Sequence, residues 1–213
     1  TTPGLCRLDP NTGIGDPTPA FTYCLNLAEV EVDTKTGKTT VLKFTCVDFV
    51  GRIGNIDAVN GQAYSGIMHG IGFALKEDYA DVKKHANMFG AGTSYIKDVP
   101  DDINLIHIDG AISDGPFGSS GASEAFQASG HCAVLNGIYN ACGVRIHEIP
   151  ALPEKVKAGL DAIAKGEKPY EPKKYFLGSD MYEELENIKE NPVQVGTQSF
   201  YVSLDDPTAE RPF

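Results

Sequence analysis

The sequence predicts an α+β fold, a mixed or antiparallel sheet with packed helices, and three observations carry that expectation. Phe21 to Val32 and Thr39 to Phe49 are two strand-like runs separated by Asp33-Thr-Lys-Thr-Gly-Lys38, the pattern of a β-hairpin. Asp57–Lys76 reads as a helix, and so does the stretch from about Ala125 to Ala141. In the latter, Ala128, Cys132, Leu135, Ile138, Tyr139 and Cys142 recur at helical spacing. The elements follow in the order β-β-α-β-loop-α-β-α, which suits helices packed on a sheet of mixed or antiparallel strands.

Taken in order, residues 1–20 are an extended lead-in punctuated by Pro3, Pro10, Pro17 and Pro19. The opening Thr-Thr-Pro-Gly-Leu-Cys lacks an initiator Met, so the chain reads as a piece of something longer. After the hairpin, Gly51-Arg-Ile-Gly-Asn-Ile-Asp57 is a glycine-bearing connection into the first helix. That helix carries Gly61, Gly66, Gly70 and Gly72, each costing roughly 0.5–1 kcal/mol against Ala in a helix interior. Either close packing or close approach of a ligand must compensate. Glu77 to Asn87 is charged surface helix or turn, and Met88 to Pro100 is loop or short strand. Ile103-Asn-Leu-Ile-His-Ile-Asp109 alternates too little for a half-exposed strand and is expected to be mostly buried. Beyond the second helix, Gly143 is a natural C-cap, Val144 to Ile149 a short strand, and Glu154–Lys165 a last helix. Domain organisation is thus a lead-in (1–20), a folded unit (21–165) and a Lys- and Pro-rich extension (166–213) expected to wrap over a neighbouring surface.

Composition narrows the function. Of the 213 residues, 22% are charged and 41% hydrophobic, values typical of folded domains, and the net charge is −11. With no cluster of Lys and Arg, a nucleic-acid partner is not expected. There is no long apolar run for a membrane span and no signal-peptide pattern. Five dispersed cysteines, with no C-x-x-C pair, fit free thiols in a reducing, cytoplasmic compartment and hold neither structural zinc nor an iron–sulfur cluster. The five histidines show no ligand spacing and are read as packing or surface residues.

The chemistry concentrates in Asp114-Gly-Pro-Phe-Gly-Ser-Ser-Gly-Ala-Ser-Glu124. Three glycines and a proline shape a tight loop that delivers one carboxylate, Glu124, to the first turn of a helix, where the helix dipole favours negative charge. Glu124 is either a helix-terminal acid behind a turn or a general base, the latter if burial raises its pKa toward neutrality. G-x-S-x-G, H-E-x-x-H and P-loop patterns are missing.

Several ordered strings carry a resemblance. They are Gly115 to Glu124, then His131-Cys-Ala-Val-Leu-Asn-Gly-Ile-Tyr-Asn-Ala-Cys-Gly-Val-Arg-Ile-His147, and Ile149-Pro-Ala-Leu-Pro-Glu-Lys-Val156. Upstream stands Gly61-Gln-Ala-Tyr-Ser-Gly-Ile-Met-His-Gly-Ile-Gly-Phe-Ala-Leu75. Over roughly residues 20–160 the chain resembles the C-terminal part of the molybdopterin-binding domain in the xanthine oxidase family of molybdenum hydroxylases, the bacterial aldehyde oxidoreductases in particular. The resemblance implies that Gln62 hydrogen-bonds the pterin and that Glu124 is the base beside molybdenum. It places Gly51, Gly54 and Asn55 near the cofactor's phosphate or nucleotide. Ser123 stands where the family usually has Gly, against the metal ligands, and Ala125-Phe126-Gln127 replaces the usual apolar or proline-bearing run. The implied reaction is oxidation of an aldehyde to a carboxylic acid with water as oxygen source. An N-heterocycle or aromatic substrate, or a non-catalytic cofactor-binding or structural role, are the alternatives. The implied cofactors are molybdopterin, free or as a dinucleotide, with Mo in this domain and [2Fe-2S] clusters elsewhere. The implied partners are the remainder of the molybdenum domain and an iron–sulfur domain or subunit, in an oligomer.

Overall fold

The computed structural model describes residues 6–167 apart from positions 19, 82, 113 and 114. The expected extension over 166–213 therefore lies, beyond its first two residues, outside the described residues. The described residues of 6–20 form no helix or strand, as the prolines imply.

Strands β1 (Tyr23–Val32) and β2 (Thr39–Phe49) form the expected hairpin, with Tyr23 opposite Phe49, Val32 opposite Thr39 and one irregularity between Glu29 and Val30. The turn is set by Asp33, whose carboxylate accepts from the Lys35 amide at 2.8 Å and the Thr36 hydroxyl at 2.8 Å. Helix α1 (Ile56–Leu75) follows, and it carries the chain across to β3 (Asp102–His107). β3 pairs parallel to β2, Lys43 opposite Asp102 and Asp48 opposite His107, so the sheet is mixed and ordered β1-β2-β3. Helices α2 (Ala125–Ala128), α3 (Gly130–Cys142) and α4 (Pro153–Ala164) complete the described chain. The α+β class is as the sequence predicts.

Among the described residues, helices cover one face of the sheet only. Phe44 and Cys46 of β2 point into a core closed by Ile67 and Ile71 of α1, Phe126 of α2 and Val134 of α3, all essentially inaccessible to water. Burial of each large apolar side chain contributes about 1.5–3 kcal/mol. A smaller cluster, Ile138, Ala151 and Val156, seats α4. The glycines of α1 make this packing possible. A Cβ on Gly66 would stand 2.6 Å from the Phe126 Cβ, and one on Gly70 would stand 3.0 Å from the Gly130 Cα. A Cβ on Gly72 would meet the Glu77 carboxylate. Three of the four helix glycines are thus explained by protein, not by a ligand. Gly61 alone has open space beside it, with nothing within 4 Å of an added Cβ.

The structure corrects the sequence reading in four further places and decides it in one. The helix expected from Ala125 to Ala141 is two helices, broken at Ser129 with φ −116° and ψ 0°. Residues 103–109 are not mostly buried: exposure alternates along β3, and Ile106 and Ile108 are 43% and 52% exposed. β3 is an edge strand with an uncovered outer face, so only Ile103, Leu105 and His107 find cover. Val144–Ile149 forms no strand; instead Val144 is buried against Gly159 of α4. The stretch 77–87 contains turns and no helix among its described residues, which is the second of the two forms the sequence allows. Glu124, expected to be buried if it is a base, is exposed in this chain.

Candidate cofactor-binding edge

The two glycine-bearing connections that the sequence singles out meet in space. Gly51, buried and at φ +73°, pairs with Ser119 in an isolated antiparallel bridge. The Arg52 amide donates to Gly118 O at 2.8 Å, and the Ser120 amide donates to Val50 O at 2.9 Å. A Cβ on Gly51 would stand 2.4 Å from Gly118 O, so this crossing needs glycine both for its left-handed conformation and for its space. On the other side Thr22 holds the loop, its hydroxyl sharing a hydrogen bond with Ser120 at 2.7 Å and donating to the Gly121 carbonyl. The segment leading to Glu124 is therefore laced to the sheet from two directions.

Gln62 and Glu124 each lie close in sequence to the crossing of α1 and α2, where Gly66 meets Phe126. Residues four apart lie on one face of an α-helix, so Gln62 sits one turn before Gly66 on the side that meets Phe126 and Gln127. Glu124 is the N-cap of α2, two residues ahead of Phe126, and its side chain makes no capping bond. Gln62, Ser123 and Glu124 are all exposed along this edge. Asn55 caps α1, its Oδ1 accepting from the Ala58 amide at 3.0 Å, which gives it a structural task. Gly54 is exposed with nothing near it, and Gly121 is likewise open. Gly51, by contrast, is buried in the bridge and serves the loop's shape.

Three polar groups behind the edge escape a reading by motif. Asn26, an inward residue of β1, donates through Nδ2 to Phe126 O at 3.2 Å and to Ser129 Oγ at 2.9 Å, tying the sheet to the α2–α3 break. Asp48 of β2 is 1% exposed, and its Oδ2 lies 2.7 Å from His107 Nδ1, while His107 Nε2 lies 2.7 Å from Asn60 Oδ1. Burial pushes the Asp48 carboxyl up, and the His107 hydrogen bond opposes that shift. Their sequence signal is slight: single polar residues at inward positions of otherwise apolar strands. Cys24 and Cys46 lie beside them as free thiols with sulfurs 3.5 Å apart; the contact with Cys24 and burial push the Cys46 thiol up.

The edge is suited to a pterin cofactor. Gln62 offers a carboxamide donor and acceptor, the pairing that a pterin's amide-like edge needs, and Gly54, Gly61 and Gly121 leave backbone bare where a Cβ would otherwise stand. Among the described residues no cluster of three metal-ligating side chains exists, so the chain offers a polar cradle without a ligand set for a bare ion.

Known proteins resemble the chain in sequence and in fold. Residues 2–100 match the family of molybdopterin cofactor-binding domains. The chain is 44% identical over 162 residues to an aldehyde oxidoreductase of Megalodesulfovibrio gigas, a match covering 76% of this chain and 18% of that protein. The crystal structure of the aldehyde oxidoreductase from Desulfovibrio desulfuricans superposes with a TM-score of 0.66 at 49% identity, over 68% of this chain and 16% of that one. A probable hypoxanthine oxidase of Escherichia coli is 30% identical over 68% of this chain and 16% of its own length. Fold and edge together define a molybdopterin-binding α+β domain. The chain is similar in sequence and fold to the molybdenum hydroxylases of the xanthine oxidase family, and it spans less than a fifth of the length of these relatives.

Proposed function

We propose that this chain supplies the base and part of the pterin cradle to a molybdenum hydroxylase that oxidises aldehydes to carboxylic acids. The observation that carries the proposal is the contact of Gly66 with Phe126, which crosses the helix turn after Gln62 with the short helix that Glu124 opens. When bound, the molybdenum cofactor supplies the two-electron acceptor and the oxygen drawn from water. Gln62 holds and orients the pterin through its carboxamide. Glu124, with no intramolecular cap bond to satisfy it, is free to accept a proton on its carboxylate as oxygen is transferred to the substrate. Its exposure here is removed once the remainder of the molybdenum domain closes over the edge, excluding water and strengthening its interaction with the reacting group. Ser123 sets a hydroxyl beside Glu124, against the cofactor. Gly54 and Asn55 lie where the cofactor's phosphate or nucleotide would reach the α1 N-terminus, whose unpaired amides favour an anion.

The electrons leave through [2Fe-2S] clusters carried on another domain or subunit, with which this chain acts in a larger, oligomeric assembly. The apolar outer face of the sheet supports that reading. Tyr23, Leu25 and Leu27 are 65%, 58% and 56% exposed side by side, a patch expected to be covered by protein. Among the described residues no helix is long and apolar enough to cross a membrane.

An aldehyde is favoured over a heterocycle by the degree of likeness, 44% identity to an aldehyde oxidoreductase against 30% to a probable hypoxanthine oxidase. The test is to purify the assembly that carries this chain, measure its molybdenum and pterin, and assay aldehydes against purines and nicotinate with an artificial electron acceptor. Aldehyde turnover by a molybdenum-loaded enzyme supports the proposal. Turnover of heterocycles alone transfers the reading to that substrate class.

A further inference from the structure

We infer that Asp48, His107 and Asn60 form a polar strut that sets how α1 presents Gln62, making Asn60 and His107 positioning residues for the pterin. The inference rests on the proposed contact between Gln62 and the pterin.

The two halves of α1 are held differently. Its second half is locked by backbone contact, Gly66 against Phe126 and Gly70 against Gly130. Its first half is anchored more lightly, by Ala63 and Val59 on the core, with Ile56 and Tyr64 49% and 47% exposed and nothing within 4 Å of the Gly61 Cβ position. There the directional tie to the sheet is the 2.7 Å contact of Asn60 Oδ1 with His107 Nε2. His107 is in turn fixed by Asp48 at 2.7 Å, its register partner on β2, so the strut reaches from the central strand through the edge strand to the helix.

Asn60 and Gln62 are two residues apart, about 200° around the helix, so one faces the sheet while the other faces the open edge. A change in helix roll at Asn60 is therefore passed to Gln62 in full. A roll of about 20° would carry a glutamine carboxamide, standing roughly 6 Å from the helix axis, through about 2 Å. That exceeds the tolerance of a preorganised binding group. An apolar trio in these positions could hold the fold without desolvating a carboxylate, whose second oxygen, Asp48 Oδ1, is buried with no hydrogen-bond partner in the protein. What hydrogen bonds add is direction.

The experiment uses the assembled, cofactor-loaded enzyme and measures pterin and molybdenum retained after gel filtration. Variants are Gln62→Ala, Asn60→Ala, Asn60→Leu (which keeps volume and removes the acceptor), Asn60→Asp (which keeps an acceptor) and the Asn60→Ala/Gln62→Ala pair. Val134→Ala, a core truncation on α3, serves as a control that lowers stability elsewhere. The expected result is about a tenfold fall in retained pterin for Asn60→Ala and Asn60→Leu, of the size seen when a supporting hydrogen bond behind a ligand group is lost. Asn60→Asp should retain it, and Asn60→Ala should add nothing once Gln62 is already alanine. Equal losses in Asn60→Leu and Val134→Ala, or an additive double variant, would overturn the strut and leave only a structural role. Full retention by Gln62→Ala would instead overturn the underlying assignment of Gln62.

Discussion

Gly66 and Gly61 stand five residues apart in one helix and are predicted to respond oppositely to the same methyl group. Gly66→Ala places a Cβ 2.6 Å from the Phe126 Cβ and 2.9 Å from the Gln127 amide nitrogen, so the helices must separate. The expected cost is about 1–3 kcal/mol in urea denaturation. Gly61→Ala meets nothing and should stabilise the chain by roughly 0.5–1 kcal/mol through helix propensity. It should nonetheless lower the pterin content of the assembled enzyme, because its bare backbone faces the cofactor edge. A Gly61→Ala enzyme with full pterin would remove that residue from the cradle. Phe117 is a third case: a non-glycine at φ +54°, 98% exposed, whose replacement by Gly should relieve about 1–2 kcal/mol of backbone strain, read as a raised denaturation midpoint. The sequence makes the excess of small residues in α1 visible. Which of them face protein and which face solvent depends on what crosses the helix, and Phe126 and Gly130 lie 60 residues further along the chain.

Local signals explain which elements were legible. The hairpin, α1, α4 and the left-handed cap at Gly143 (φ +77°) follow from turn chemistry, periodicity and capping residues acting within a few positions. Asp33 illustrates this. Hydrogen bonds from the Lys35 amide and then the Thr36 hydroxyl hold its carboxyl below the ordinary value of 3.8. A lowered folded-state pKa stabilises above the unfolded value, and that contribution is lost as pH falls through the lowered one. Asp33→Ala should therefore destabilise the protein at neutral pH, and the difference from wild type should vanish in acid; a gap that persists below both values would contradict the assignment. The misread elements depend on distant neighbours. Val144–Ile149 has the composition of a strand but pairs with none of β1, β2 or β3, and Gly159 of α4 gives Val144 a pocket instead. The break at Ser129 is stabilised by Asn26, which lies 103 residues away in sequence.

At the scale of the folded unit, the described helices finish the sheet on one face and leave the other without cover, and Gln62 and Glu124 are exposed. A chain spanning 18% of a relative's length is expected to leave such surfaces for the remainder to cover. Replacing Leu25 and Leu27 together by Asp should leave this domain folded, since both side chains are outward and more than half exposed, while reducing its recovery with the rest of the enzyme on co-purification. Unchanged recovery would place the interface elsewhere. Function was legible only through ordered motifs, because spacing alone could not tell a helix-terminal acid from a base. Folding explains why the motifs stand together: the Gly51 connection and the Glu124 loop, remote in sequence, are joined by the Gly51–Ser119 bridge.

The central claim is that Glu124 acts as the base at a molybdopterin site, and Glu124→Gln in the assembled enzyme tests it most directly. The substitution preserves size and removes the proton acceptor. Measured together, aldehyde turnover should fall by about 10²–10⁴-fold while molybdenum and pterin stay at wild-type levels. Turnover within a few-fold of wild type at equal molybdenum content would contradict the claim and leave this chain a binding surface without a part in the chemistry.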